Sequence, residues 1–354
     1  MVELTKDLIL EHAEEKNFEK IFELRIHNVH LEYINNLNLI RRCRILDLSR
    51  NSLAISPKLN DLPELRELNL SSNFLDEVPR VGVLKNLQNL YLNNNLIAKI
   101  GHLESSKKLQ RLEIETNRLT SLKGVEALTD LKYLSVENNE ISDVTTLKSL
   151  RSLVEVRMGE NDIPQILKSA FDRSNVVEEF YVSSNELVDL GFLLCCNSLK
   201  VLNVSTNDID VESFPPLLSL EDLNIADCGI QTLGEDFSEK LPSLTWLNAA
   251  DNELLLLDII QLGNLKKLTE LRLDNNPVTK LDSFREDVLK YIPYLEMLGD
   301  EQVNKLGTKY KTIDFATWGS RLDDEDDDGA NKQNKIIPLM HARLDSRAKE
   351  IEAK

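Results

Sequence analysis

The sequence predicts an α/β solenoid, a horseshoe of about twelve stacked repeats with parallel strands on its concave face and a specialised segment closing each end. Three observations carry this expectation. A pattern of the form Leu-x-Leu-x-x-Asn-x-Leu returns along the chain, as in LNLSSNFL from Leu68 and LYLNNNLI from Leu90. Its first two apolar residues lie two apart, the spacing that points both side chains to one face of a short strand. The segments before the first copy and after the last abandon the pattern for helical spacing.

At the start, residues 1–20 are expected to form an N-terminal helical cap, with Thr5 as the N-cap and Leu8 and Ile9 covering the first repeat. Residues 21–281 hold the repeats. Asn51, Asn73, Asn95, Asn117, Asn139 and Asn161 follow one another at steps of 22 residues, and Asn185, Asn207, Cys228, Asn252 and Asn276 continue at steps of 21 to 24. Val29 stands in the same slot of a degenerate first copy, which brings the number to twelve. A side-chain amide at this position can bond backbone groups that the turn leaves unpaired, so Asn95 is the structural member of the triplet Asn93-Asn94-Asn95. Asn93 and Asn94 are expected to face solvent or a partner. Cys228 fills the slot with a weak thiol donor.

Between the strand leucines the residues point outward, and they define the surface on which function is expected. Tyr91, Tyr133, Tyr181 and Trp246 stand among Glu113, Glu155 and Glu179. Exposed aromatic residues among charges suit protein binding, because they bury much area at small entropic cost. Asn69, Asn203, Asn224 and Asn248 take the same inner strand position elsewhere. Glu113 and Glu115 are expected on an exposed face where nothing tunes their acidity.

Residues 282–303 place Phe284, Val288, Leu289, Ile292, Leu295, Leu298 and Val303 at helical and then irregular spacing, as a C-terminal cap. Residues 304–354 read as an acidic, largely disordered tail with DDEDDD from Asp323 to Asp328, and a candidate helix after Pro338 that carries Leu339, Met340 and Leu344.

Composition narrows the function. A formal net charge of −18 favours a partner with a basic surface and disfavours nucleic acid. No Gly-rich phosphate loop, nucleophile elbow or paired metal motif is present, so neither catalysis nor a cofactor is expected. Cys43, Cys195, Cys196 and Cys228 lack paired spacing and read as reduced thiols. Glu3 and Asp7 with no basic start and apolar run speak against a signal peptide, and no segment approaches a membrane span, so a cytoplasmic or nuclear setting is expected.

The 22-residue repeats, the helical start and the terminal segment together resemble the leucine-rich repeat class of the protein phosphatase 1 regulatory subunit 7 family. That class also includes the U2 small nuclear ribonucleoprotein A-prime protein and axonemal and cilium-assembly proteins such as dynein light chain 1. Phe284 to Asp300 is similar to the C-terminal cap of such proteins, with Phe284 for the usual Tyr and a departure at Gly299. The resemblance implies a non-catalytic scaffold or regulatory subunit, with the protein phosphatase 1 catalytic subunit as the first partner to consider. A dynein-associated or axonemal role, in a cilium, and a spliceosomal adaptor role are the alternatives. Within that reading, KTIDF fits the short docking pattern of phosphatase regulators, with Lys311 as the basic residue and Ile313 and Phe315 entering neighbouring pockets by strand addition.

Overall fold

The computed structural model describes residues 2–171 and 176–304. The tail residues 305–354, including Lys311, Ile313, Phe315, the acidic block and the segment after Pro338, lie outside the described residues.

Each Leu-x-Leu copy forms a three-residue strand centred on its first strand leucine or its equivalent. The succession runs from Glu23–Arg25 through Asn89–Tyr91, Arg111–Glu113, Tyr133–Ser135, Glu155–Arg157 and Glu179–Tyr181 to Glu270–Arg272. These strands pair in parallel with their sequence neighbours in one sheet of fourteen strands. The register puts equivalent positions side by side, for example Tyr91 beside Glu113 and Tyr181 beside Asn203. In each copy both apolar residues enter the core: Leu90 and Leu92, like Leu112 and Ile114, are fully buried. Opposite the strands the chain returns through short helical turns such as Thr145–Ser149, Gly191–Cys195 and Leu256–Leu262.

The asparagine ladder is the hydrogen-bond frame of the stack. The Nδ2 of Asn95 donates to the carbonyls of Leu92 at 3.0 Å, Asn93 at 3.3 Å and Leu70 at 3.1 Å, and its Oδ1 accepts from the Leu75 amide at 3.0 Å. One side chain thus links backbone groups of its own turn and of the preceding repeat; the Leu70 and Leu92 carbonyls are shared with Asn73 and Asn117, and the buried Leu75 amide finds its acceptor in Asn95. Asn73 and Asn139 make the same four bonds. At Cys228 the thiol donates to the carbonyls of Val204 and Ala226 at 3.2 and 3.5 Å. Burial pushes that thiol up to about 12, so it remains protonated and able to donate.

Asn94 has a duty that its residue type does not announce. The residue before each ladder position is left-handed, from Asn28 with φ 59° through Asn94 with φ 56° to Asn275 with φ 59°. The turn needs this backbone reversal even where the residue is Thr116, Glu160 or Thr206.

Both ends are covered by packed segments. Thr5 caps the helix Lys6–His12 by accepting from the Leu8 amide, Ile9 is fully buried, and Leu8 packs against the core. A feature absent from the sequence reading precedes it: Val2–Glu3 pairs in parallel with Leu31–Tyr33 as a separate two-stranded sheet. At the far end the helix Phe284–Tyr291 buries Val288, and Ile292 and Leu295 follow into the core. Met297–Leu298 then adds a parallel strand and Glu301–Gln302 an antiparallel one, joined through Gly299 at φ 60°. The departure at Gly299 is therefore the left-handed turn of that closing hairpin.

Candidate partner-binding face

Three rows of side chains cross the strands on their outward face. The first precedes the strand leucine, the second follows it, and the third lies two residues beyond the second, because the alternation continues past the strand end. Sequence reading set out the first two rows; of the third it placed Asn93 and Glu115 outward but did not extend the row to Glu137. The signal was available in the spacing, since Glu113 and Glu115, like Ser135 and Glu137, are two apart.

In the middle of the solenoid these rows interlock. Arg111 donates to Glu113 at 2.5 Å, and its guanidinium lies over the Tyr133 ring at 3.7 Å. Arg157 donates to Glu155 at 2.7 Å and covers the Tyr181 ring at 4.3 Å. The Tyr181 hydroxyl donates to Glu179 at 2.8 Å, and Asn93 donates to Glu113 at 3.1 Å while accepting from the Glu115 amide at 3.0 Å. Asn93 is thus outward-facing, as expected, and also a bonded member of the face.

Burial separates the expected contact residues into two kinds. Tyr91, Tyr133, Glu155, Glu179 and Trp246 are half-buried and present part of their surface outward. Tyr181 and Glu113, expected as exposed contacts, are 3% and 4% exposed and belong to the interlocked layer instead. Their strand neighbours, 22 to 24 residues away in sequence, cover them.

Nor are the acids of this face untuned. Burial, with Glu115 beside it, pushes the Glu137 carboxyl up to about 7. Glu115 and Glu179 are also raised, chiefly by burial, and the Ser135 and Tyr181 hydroxyls respectively counter part of the rise. Further along, burial and the neighbouring Glu221 push Asp222 up to about 6. Tyr91 rises to about 12 because it is buried near Glu67 and Glu113. Arg157 stays charged: burial works against its cation, but Tyr133 and Glu155 outweigh that and raise it. The face therefore holds crowded carboxylates around few cations.

A family model described as a leucine-rich repeat region matches residues 23–301. The chain belongs to the leucine-rich repeat family. Members of this family typically serve as protein-interaction scaffolds. Among curated relatives, this leucine-rich repeat chain is 32% identical over 116 residues to acidic leucine-rich nuclear phosphoprotein 32 family member A of Drosophila melanogaster, covering 31% of this chain and 43% of that protein. It is 34% identical over 109 residues to human U2 small nuclear ribonucleoprotein A', covering 30% and 43%. Human leucine-rich repeat-containing protein 23 is 38% identical over 92 residues, or 26% of each chain. These matches span less than half of the relatives' own lengths. Of solved structures, an internalin, InlF, from Listeria monocytogenes superposes with a TM-score of 0.69 at 22% identity, covering 84% of this chain and 89% of that one. InlJ of the same organism gives 0.63 at 19%, covering 80% and 63%. These two likenesses concern the fold alone. Among the described residues, no helix is long and apolar enough to cross a membrane.

Proposed function

We propose that this leucine-rich repeat chain is a non-catalytic scaffold or regulatory subunit that binds the basic surface of a partner protein on its concave face. One observation carries the reading. The first row presents Glu23, Glu67, Glu155, Glu179, Asp222 and Glu270 against a single basic residue, Arg111. Several of these acids are raised by burial and by one another, as at Asp222. A cationic surface laid across the row relieves that repulsion and gains attraction in a partly dehydrated setting. Tyr91, Tyr133 and Trp246 supply the aromatic contact area, and Glu155 and Glu179 steer the approach.

The finer reading is a regulator of protein phosphatase 1, resting on the resemblance of the repeats and caps to that regulator family. Similarity to U2 small nuclear ribonucleoprotein A' supports a second reading, an adaptor in a nuclear ribonucleoprotein. Affinity purification with the full chain and with a Glu179→Lys, Asp222→Lys variant tests all of this. Partners lost from the variant support the face. Recovery of the phosphatase catalytic subunit supports the finer reading, whereas recovery of spliceosomal or dynein subunits in its place overturns it. Partners retained by the variant overturn the face as the binding surface.

A further inference from the structure

Asn203, Asn224 and Asn248 occupy the second row on three consecutive parallel strands, side by side in register. Their Oδ1 atoms share one backbone bond, and that of Asn203 also accepts from the Ser205 hydroxyl at 2.8 Å. Each accepts from the backbone amide two residues on, Ser205, Ala226 or Ala250, at 3.1 Å. That bond fixes the side chain and leaves its NH2 as the group presented outward. Among the described residues these three NH2 groups have no acceptor, although Asn224 is only 7% exposed. The contrast with the middle of the solenoid is direct, since Arg111, Arg157, Tyr181 and Asn93 there donate to carboxylates of the same face.

The surroundings of the amides define what fits. On the third row Ser205, Ala226 and Ala250 are small, so a ligand backbone can approach the NH2 groups closely. On the first row Glu179 and Asp222 are raised chiefly by burial, and Glu270 likewise by burial and by Glu296. Arg272, the cation next along, is bonded to Asp300 at 2.5 Å. Strands in a sheet lie roughly 4.8 Å apart, so the three donors span about 10 Å, the length of about three extended residues.

We infer that this amide row docks an extended peptide segment of a basic partner, with main-chain carbonyls accepting from Asn203, Asn224 and Asn248 and a Lys or Arg facing Asp222 and Glu179. The inference rests on the proposed function and locates its contact in the C-terminal half of the face. Donors fixed by their own backbone bonds are pre-organised for carbonyl acceptors, and an acceptor-rich backbone satisfies them without a second charge.

The test uses Asn→Asp at all three positions. Asp47 shows that the slot accepts this residue, because its Oδ1 takes the Ser49 amide at 2.9 Å in the same geometry. The substitution keeps the backbone bond, replaces NH2 donors by acceptors and adds negative charge. A phage-displayed library of random dodecapeptides is selected on the full chain, and the enriched peptides are measured on the variants by titration calorimetry. The expected result is enrichment of Lys- or Arg-containing peptides that bind the triple Asp variant at least tenfold more weakly, against the direction that added negative charge alone would give. Equal or tighter binding to the variant overturns the amide row, as does enrichment of acidic peptides or no enrichment. Glu179→Lys with Asp222→Lys separates the two levels. Peptides sensitive to that pair but not to the amides remove only the amide row, whereas peptides insensitive to both remove the face.

Discussion

The Nδ2 of Asn95 reaches the carbonyl of Leu70 at 3.1 Å, 25 residues earlier and one repeat back. Asn95→Leu removes that bond and the three others of the same side chain, leaving the buried Leu75 amide without its acceptor while the Leu70, Leu92 and Asn93 carbonyls each keep one other donor. Leaving one such group unsatisfied costs about 1–3 kcal/mol, and a loss within that range is expected. Urea denaturation of the purified chain measures it, and an unchanged midpoint would remove the ladder as the frame of the stack.

Thr206 holds φ at 53° while its side chain is exposed. A β-branched residue is strained in the left-handed region, and Gly or Asn is not. Thr206→Gly and Thr206→Asn should each raise stability by about 0.5–1 kcal/mol. The same exchange at Ser205, which lacks a positive φ, serves as the control and should not stabilise.

Glu137 gives the fold a pH dependence of definite sign. Its carboxyl is near 7 folded against 4.5 for the ordinary residue, so between these values the folded chain holds more protons than the unfolded one. Its contribution to stability is therefore greatest below about 4.5, falls as pH rises through 7, and is level above that. Glu137→Gln should be more stable than the parent at pH 8 and lose the advantage by pH 5. Paired urea titrations across that range check the difference; an advantage that grows toward pH 5 contradicts it.

Arg157 is 7% exposed and ties Glu155 to the Tyr181 ring. Arg157→Met keeps volume but strands the acids around it, and removing one partner of a buried ion pair costs roughly 3–5 kcal/mol when burial is complete. Glu155 retains partial exposure, so about 2–3 kcal/mol is expected here. Adding Glu155→Gln should recover part of that loss, a coupling that a double-mutant cycle reads directly.

The fold was largely legible because strand position and ladder residue carry their chemistry in residue type. Leu90, Leu92 and Asn95 can each do one thing in this geometry. The left-handed residue was not legible, since Arg50, Thr116 and Glu160 adopt it under compulsion from the turn on either side. On the candidate site, alternation showed which residues point outward but not how deeply their neighbours cover them. Tyr181 and Glu113 are buried by side chains one repeat away, and the third row with Glu137 extends beyond the strand pattern. The rise at Glu137 follows from that crowding and is invisible in a one-dimensional reading.

The thiol rung at Cys228 makes the solenoid unequal along its length. Each repeat touches chiefly its neighbours, so cooperativity is passed from rung to rung and depends on the coupling at every interface. Where asparagine donates to three carbonyls, Cys228 makes two longer sulfur contacts, and a thiol is a weak donor. Hydrogen-bond coupling is thinner there, under the strands that carry Asn203 and Asn224. Local opening is therefore expected first between the ninth and tenth repeats, and an occupant spanning Asn203 to Asn248 would act as a splint across that junction.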